Sequence, residues 1–207
     1  MTSNLPTTTS EITADWMTEA LRGSGTIGAD TSVASVVLDP AAAGVGFMGE
    51  IGKVGVVYAG APTDAATSII AKFPTHSPEI RAMMHPTRIY EREHRFYREL
   101  AEHSTLRTPA LYHVTCVTAD AAEDERYMLL MEDLSLLAPG DQVSGLSPEQ
   151  AERALIGLAG HHAAFWNGAG LERADFVPII NGALNQAGAS IYEVSLPGFM
   201  DVFGSVI

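Results

Sequence analysis

Lys72 is one of only two lysines, with Lys53, in a chain that carries ten arginines. It lies in Ser68-Ile69-Ile70-Ala71-Lys72-Phe73, where a strand period puts Ile70 and Lys72 on one face and Ile69, Ala71 and Phe73 on the other. An ammonium among apolar neighbours loses hydration unless an anion compensates, and a phosphate would be such an anion. The bland alternative is a lysine that snorkels to water at a sheet edge. Glu93 offers a carboxylate. Ile89, Glu93, Phe96 and Leu100 share one helical face, which turns Glu93 towards the sheet. A carboxylate facing inward is costly unless paired, and Lys72 is the available partner. Glu91 lies about 200° away round the helix and is expected to face solvent with Arg95. Glu93 at the edge of the stripe, with its head in water, is the alternative.

A glycine cluster precedes the lysine. Gly44-Val45-Gly46-Phe47-Met48-Gly49 fits G-x-G-x-x-G, a pattern that lets backbone N–H groups approach phosphates because no Cβ intervenes. The segment after the last glycine separates the folds that use it. A dinucleotide fold opens a helix there and places an acidic residue about 20 residues on. Here Glu50 to Tyr58 has strand composition, and Asp64, near that spacing, falls in a turn. A loop joining two strands, as in the phosphate-covering loop of kinases, fits better. An ordinary glycine-rich hairpin remains the competing reading. The third candidate is Tyr127 to Leu134, an apolar strand running into Glu132-Asp133-Leu134. Its exit could read an adenine edge through the backbone near Met131, Glu132 and Leu134, or be only a core strand and its loop.

These residues need elements to hold them. A short helix capped by Thr13, with Ile12 stapled to Met17 and an apolar face of Trp16, Met17, Ala20 and Leu21, comes first. Strands are expected at Val33–Leu38, Ile51–Tyr58, Ser68–Phe73, Leu111–Val117 and Arg126–Met131. After the third strand, a short helix from Ser77-Pro78-Glu79 to Pro86 precedes a long one from about Thr87 to His103. The long helix should carry Glu91–Arg95 and Arg98–Glu102 pairs. The order predicts an α+β lobe, a five-stranded antiparallel sheet with one long helix inserted after its third strand. Residues 135–146 read as a linker. Ser147-Pro148-Glu149-Gln150 opens a helix to about Asn167 with a capping box, and Phe176 to Ile207 is apolar, glycine-rich and weakly patterned.

Composition narrows the function. A chain of 207 residues, 46% hydrophobic and 18% charged, can bury a core. The net charge of −13 argues against a nucleic-acid partner and an anionic membrane surface. The single cysteine, Cys116, excludes an internal disulfide and fits a reducing, cytoplasmic setting. The N-terminus lacks a signal-peptide pattern, and no apolar run is long enough to span a membrane. The histidines at 76, 85, 94 and 103 alternate faces and make no metal site.

Together the glycine cluster, Ile69-Ile70-Ala71-Lys72, Glu93-x-x-Phe96-Tyr97-x-x-Leu100, Leu130-Met131-Glu132-Asp133-Leu134 and Leu158-Ala159-x-x-His162-Ala163-x-x-Trp166 resemble the aminoglycoside phosphotransferase and choline-kinase-like superfamily. The nearest resemblance is to its ecdysteroid-kinase-like branch. The resemblance implies a two-lobed protein kinase-like fold: a nucleotide-binding lobe at 1–134, the linker at 135–146, and the start of a helical lobe at 147–207. It implies transfer of the γ-phosphoryl of ATP or GTP, with Mg²⁺, to the hydroxyl of a small molecule. Gly44, Gly46, Phe47, Met48 and Gly49 would cover the phosphates and Lys72 would hold them. Glu93 would position Lys72, and the segment at Met131, Glu132 and Leu134 would take the base. His162 matches the family's helix histidine, although a core histidine with a hydrogen-bond partner is the better reading. No histidine is followed two positions later by aspartate, so the H-x-D-x-x-x-x-N catalytic loop is missing and neither Asp175 nor Asp201 replaces it. The expectation is the N-terminal part of a kinase lacking catalytic base and metal ligands. The alternative is a non-catalytic nucleotide-binding or regulatory module.

Overall fold

The computed structural model describes residues 5–46, 48–60, 65–137, 140–141, 143–168, 171, 174–179 and 182–206. Two compact units are present, Met1–Gly170 and Leu171–Ile207.

In the first unit, helix α1 (Ala14–Gly23) starts where Thr13 Oγ1 accepts the Trp16 N–H at 3.2 Å. Next comes a five-stranded antiparallel sheet: β1 (Ser32–Gly46), β2 (Gly49–Ala59), β3 (Ser68–Pro74), β4 (Leu111–Val117) and β5 (Arg126–Glu132), ordered β1-β2-β3-β5-β4. Alternation divides every strand between two faces. Val54, Val56, Ile69, Ala71, Phe73, Met128 and Leu130 turn to one face and form the core with Ile12, Met17, Ala20 and Leu21. Thr18 Oγ1 accepts the Val33 N–H at 2.8 Å and stitches α1 to β1. The other face carries Ile51 opposite Lys72, Lys53 opposite Ile70, Ile70 opposite Met131 and Lys72 opposite Leu129.

Between β3 and β4 lie α2 (Pro78–Met84), capped by Ser77, and α3 (Ile89–Arg95). Arg88, at φ 52°, breaks the path between them. The single helix expected at Thr87–His103 starts only at Ile89 and is three pieces: α3, a π-helical stretch Phe96–Leu100, and a 3-10 turn Ala101–His103. The buried stripe is Tyr90, Glu91, His94 and Leu100, not Ile89, Glu93, Phe96 and Leu100. Glu91, expected in solvent, is 5% exposed. Arg88 grips its two oxygens at 2.6 Å each and Arg95 adds a contact of 3.2 Å, which is what makes its burial tolerable. Arg98 pairs with its neighbour Glu99 rather than with Glu102.

Helix α4 (Pro148–Phe165) has the capping box of Ser147 and Gln150. Its other side chains are largely in solvent, Leu155 and Ile156 among them, as is Trp166 just beyond its end. His162 is exposed, so the core reading of it fails. His161 is the ring with a partner, Ser104 Oγ at 2.9 Å. In the second unit, the weakly patterned tail contains a helix, α5 (Ala183–Phe203), with Pro197 inside it. Ala174 and Phe176 are buried, and the rings of Phe199 and Phe203 meet at a tilt with centroids 5.1 Å apart.

Candidate functional site

The face opposite α1 is covered only in part. Tyr90 and His94 of α3 pack on Tyr127, with His94 and Tyr127 centroids 5.1 Å apart. That end of the face is closed. Beyond it, Ile51, Lys53, Ile70 and Lys72 are half-buried, with Met131 beside Ile70 on β5. The result is an apolar strip flanked by two cations.

Lys72 Nζ donates to Glu93 Oε1 at 2.5 Å, and each side chain is 32% exposed. The structure thus brings together the two residues expected to meet. The reason differs in one respect: Glu93 lies beside the buried stripe of α3 rather than within it. A half-exposed pair keeps its charges partly hydrated, and lysine N–H groups remain to meet a further anion.

The glycine cluster is part of the sheet. Gly44 and Gly46 belong to β1, pairing with Ile51 and Gly49, and Gly49 opens β2. Phe47 lies outside the described residues. Met48 is in the turn, and its carbonyl accepts the Tyr90 hydroxyl at 2.8 Å, which moors the hairpin tip to α3. Two glycines have steric reasons. A Cβ on Gly49 would overlap the Phe73 carbonyl oxygen, and one on Gly52 would overlap the Thr9 side chain. Strand pairing and the N-terminal segment, rather than a phosphate, account for these two.

At the exit of β5, Glu132 donates its backbone N–H to the Ala110 carbonyl at 2.8 Å. Its carboxylate accepts from Arg107 at 2.7 Å and from the Ala110 N–H at 3.1 Å. The Leu134 carbonyl accepts the Leu137 N–H at 2.9 Å. Asp133 between them is 8% exposed and holds Lys53 at 2.8 Å and Ser68 Oγ at 2.5 Å. Burial pushes its pKa up, but the bonds from Lys53, Ser68 and Ser135 outweigh this and hold the carboxyl well below the usual range.

Behind the pair, His94 is 2% exposed, and its Nδ1 lies 2.7 Å from the Tyr90 carbonyl. Burial pulls its pKa down to about 4, so the ring is neutral near pH 7 and Nδ1 is the donor. Glu99, held by Arg95 and Arg98, is lowered to about 2, with the Arg95 bond the largest cause.

Sequence reasoning singled out Lys72 and Glu93 but passed over Ile51, Tyr90, Ser68, Asp133 and the place of Lys53. The scarcity of lysine and the strand period together were the available signal, since both lysines fall on one face. Among the described residues no group of three His, Cys, Asp or Glu side chains is placed to hold a metal ion. No helix among them is long and apolar enough to cross a membrane.

Searches of the curated proteins and of the solved structures find no match. The ecdysteroid kinase-like family model matches residues 43–203, a span that includes the glycine hairpin, Lys72, Glu93 and the exit of β5. The chain belongs to the ecdysteroid kinase-like family.

Proposed function

We propose that this chain binds ATP or GTP on the open face of its sheet, as the nucleotide-binding lobe of a small-molecule phosphotransferase with a protein kinase-like fold. The acceptor class is a small-molecule hydroxyl. The observation that carries this is the Lys72–Glu93 pair, joined at 2.5 Å on the one face of the sheet that is left open. Lys72 would meet the phosphates while Glu93 keeps it extended. The hairpin of Gly44, Gly46, Phe47, Met48 and Gly49 would lie over them. The base would rest on Ile51, Ile70 and Met131. The groups assigned to its polar edge are the Glu132 carbonyl oxygen and the Leu134 N–H, neither of which takes part in the backbone bonds to Ala110 and Leu137. In this reading residues 1–134 form the lobe, 135–146 the linker, and 147–207 the opening of a helical lobe.

The residues fit a nucleotide's base and phosphates. Magnesium in such enzymes neutralises charge that develops between the outer phosphates. The described residues supply no cage for it, so no step here passes through the metal. No H-x-D-x-x-x-x-N segment occurs in the 207 residues, and no residue of this chain is assigned the role of base. Binding, rather than turnover, is therefore the test. Titration calorimetry with ATP or GTP should show weak, saturable binding that Lys72→Ala weakens further. Binding unaffected by Lys72→Ala would refute the assignment. Sub-micromolar affinity would favour the alternative, a nucleotide-binding or regulatory module.

A further inference from the structure

The second lysine organises a cluster at the other end of the open face. Lys53 Nζ lies 2.8 Å from Asp133 Oδ2 and donates to Ser135 Oγ at 3.1 Å. Ser68 Oγ donates to the same carboxylate oxygen at 2.5 Å, and the Ser135 N–H donates to Oδ1 at 2.8 Å. Four residues thus join β2, the first residue of β3 and the segment that leaves β5. The backbone pairing of β3 with β5 ends at Ile69 and Glu132. Beyond that point side chains take over the tie, and Asp133 is its centre. Its depressed pKa agrees with a carboxylate that stays charged despite burial.

The register fixes where this cluster acts. Lys53 stands opposite Ile70, and Ile51 stands opposite Lys72. Lys53 is therefore two residues, about 7 Å, along β2 from Ile51. The apolar strip of Ile51, Ile70 and Met131 is bounded by the Lys72–Glu93 pair at one end and by Lys53–Asp133 at the other. The first pair has its charges at the hairpin and α3. The second ties β2, which continues into the hairpin, to residues 133–135. It sets the gap between the two walls that would hold a planar base.

We propose that Lys53 and Asp133 are positioning residues that fix the base end of the cleft, so that they govern affinity for the purine nucleoside part of a ligand and not for its phosphates. The proposal rests on the nucleotide reading of the open face. Lys53 acts through Asp133 and Ser135 rather than by touching the ligand. A buried carboxylate that loses its cation leaves the segment after β5 without its tie to β2, and the gap is then no longer defined.

The test uses three probes on the full chain: ATP, adenosine and inorganic tripolyphosphate. Lys53→Met keeps the aliphatic stem and removes the charge, and Asp133→Asn keeps the shape. Both should weaken adenosine and ATP by about tenfold, within the usual range for coupled sites, and leave tripolyphosphate unchanged. Lys53→Arg, which can still reach Asp133, should restore adenosine binding. Lys72→Ala should do the reverse of Lys53→Met, losing tripolyphosphate and keeping adenosine. Circular dichroism on each variant establishes that it is folded. If one of the two does not fold, the other carries the test. Wild-type protein that binds none of the probes removes the nucleotide reading, and this proposal with it. Wild-type protein that binds ATP, with Lys53→Met weakening all three probes equally or none, overturns the positioning role alone.

Discussion

Ile69, Ala71 and Phe73 of β3 point beneath α1 and are at most 2% exposed. Ser68, Ile70 and Lys72 alternate with them, point the other way and remain half-buried. The covered face is mainly apolar and is closed by α1 and by residues before it, with His113 against Trp16 and Glu50 bonded to Thr9 at its margins. The opposite face has apolar centres but charged ends, and α3 closes only the part over Tyr127. One strand thus contributes to the core through one set of residues and carries the Lys72–Glu93 pair on the set between them. Substitutions one residue apart should therefore have separable consequences.

The largest effect is expected on the covered face. Ile69→Ala removes three carbons from a side chain with no solvent exposure, and should cost about 3 kcal/mol of stability through lost burial and a cavity. Urea unfolding measures it. Nucleotide affinity per folded molecule should stay as in the wild type. A cost below about 1 kcal/mol would mean the face can collapse around the gap, and its contrast with the open face would weaken.

His94 sharpens the comparison where α3 meets the open face. Its folded pKa is depressed to about 4 from an ordinary 6.5. The unfolded chain therefore binds the proton first as pH falls. The contribution of the neutral ring is complete above about 6.5 and is lost progressively towards about 4. The difference is on the order of 3 kcal/mol. Glu93, Lys72 and Arg98 bear on the ring electrostatically, yet burial is the largest cause. Melting temperatures measured from pH 7 to pH 4 should fall, and His94→Gln should flatten that part of the profile. An unchanged slope in the variant would place the titration elsewhere.

Much of this was legible in the sequence because it depends on local rules. Strand alternation gave all five strands, and Thr13, Ser77 and Ser147 marked helix starts that the structure keeps. Lys72 and Glu93 were legible as a pair because each was costly alone. The extent of the strands was not, since Gly44 and Gly46 lie within β1 where glycine argues against a strand. The phase of α3 was lost for a different reason. Within α3 the rings of Tyr90 and His94 pack on Tyr127 and select the buried face, a contact that no helical wheel contains. Asp133 read as an exit-loop residue because its partners lie on two other strands.

Glu91 is the next contrast, this time with Glu93 two residues on. Glu91 is 5% exposed and held by Arg88 and Arg95, and the Arg88 bond is the chief cause of its lowered pKa. Glu91→Gln leaves two guanidinium groups short of a counter-charge and should cost about 2 kcal/mol. Because the folded pKa is lowered, this contribution is present above the ordinary carboxylate pKa and disappears in acid. Thermal unfolding at neutral pH, where Glu91→Gln should melt well below Glu93→Gln, checks it. Equal melting points would mean that burial does not distinguish the two carboxylates.

The smallest stability effect belongs to Lys72 and Glu93 themselves. Each side chain is 32% exposed, so their pairing adds little to folding, and Lys72→Ala or Glu93→Ala should each change stability by less than about 1 kcal/mol. On the proposed reading, in which Glu93 acts by holding Lys72, their effect on ATP binding should be large by comparison and non-additive. Once Lys72 is gone, removing Glu93 should change affinity no further. A double-mutant cycle with calorimetry reads this directly, and unfolding curves on the same four proteins read stability. Additive losses in affinity would mean that Glu93 meets the ligand on its own account. A large loss of stability with no change in affinity would turn the pair into a structural ion pair and leave the open face without its anion-binding group.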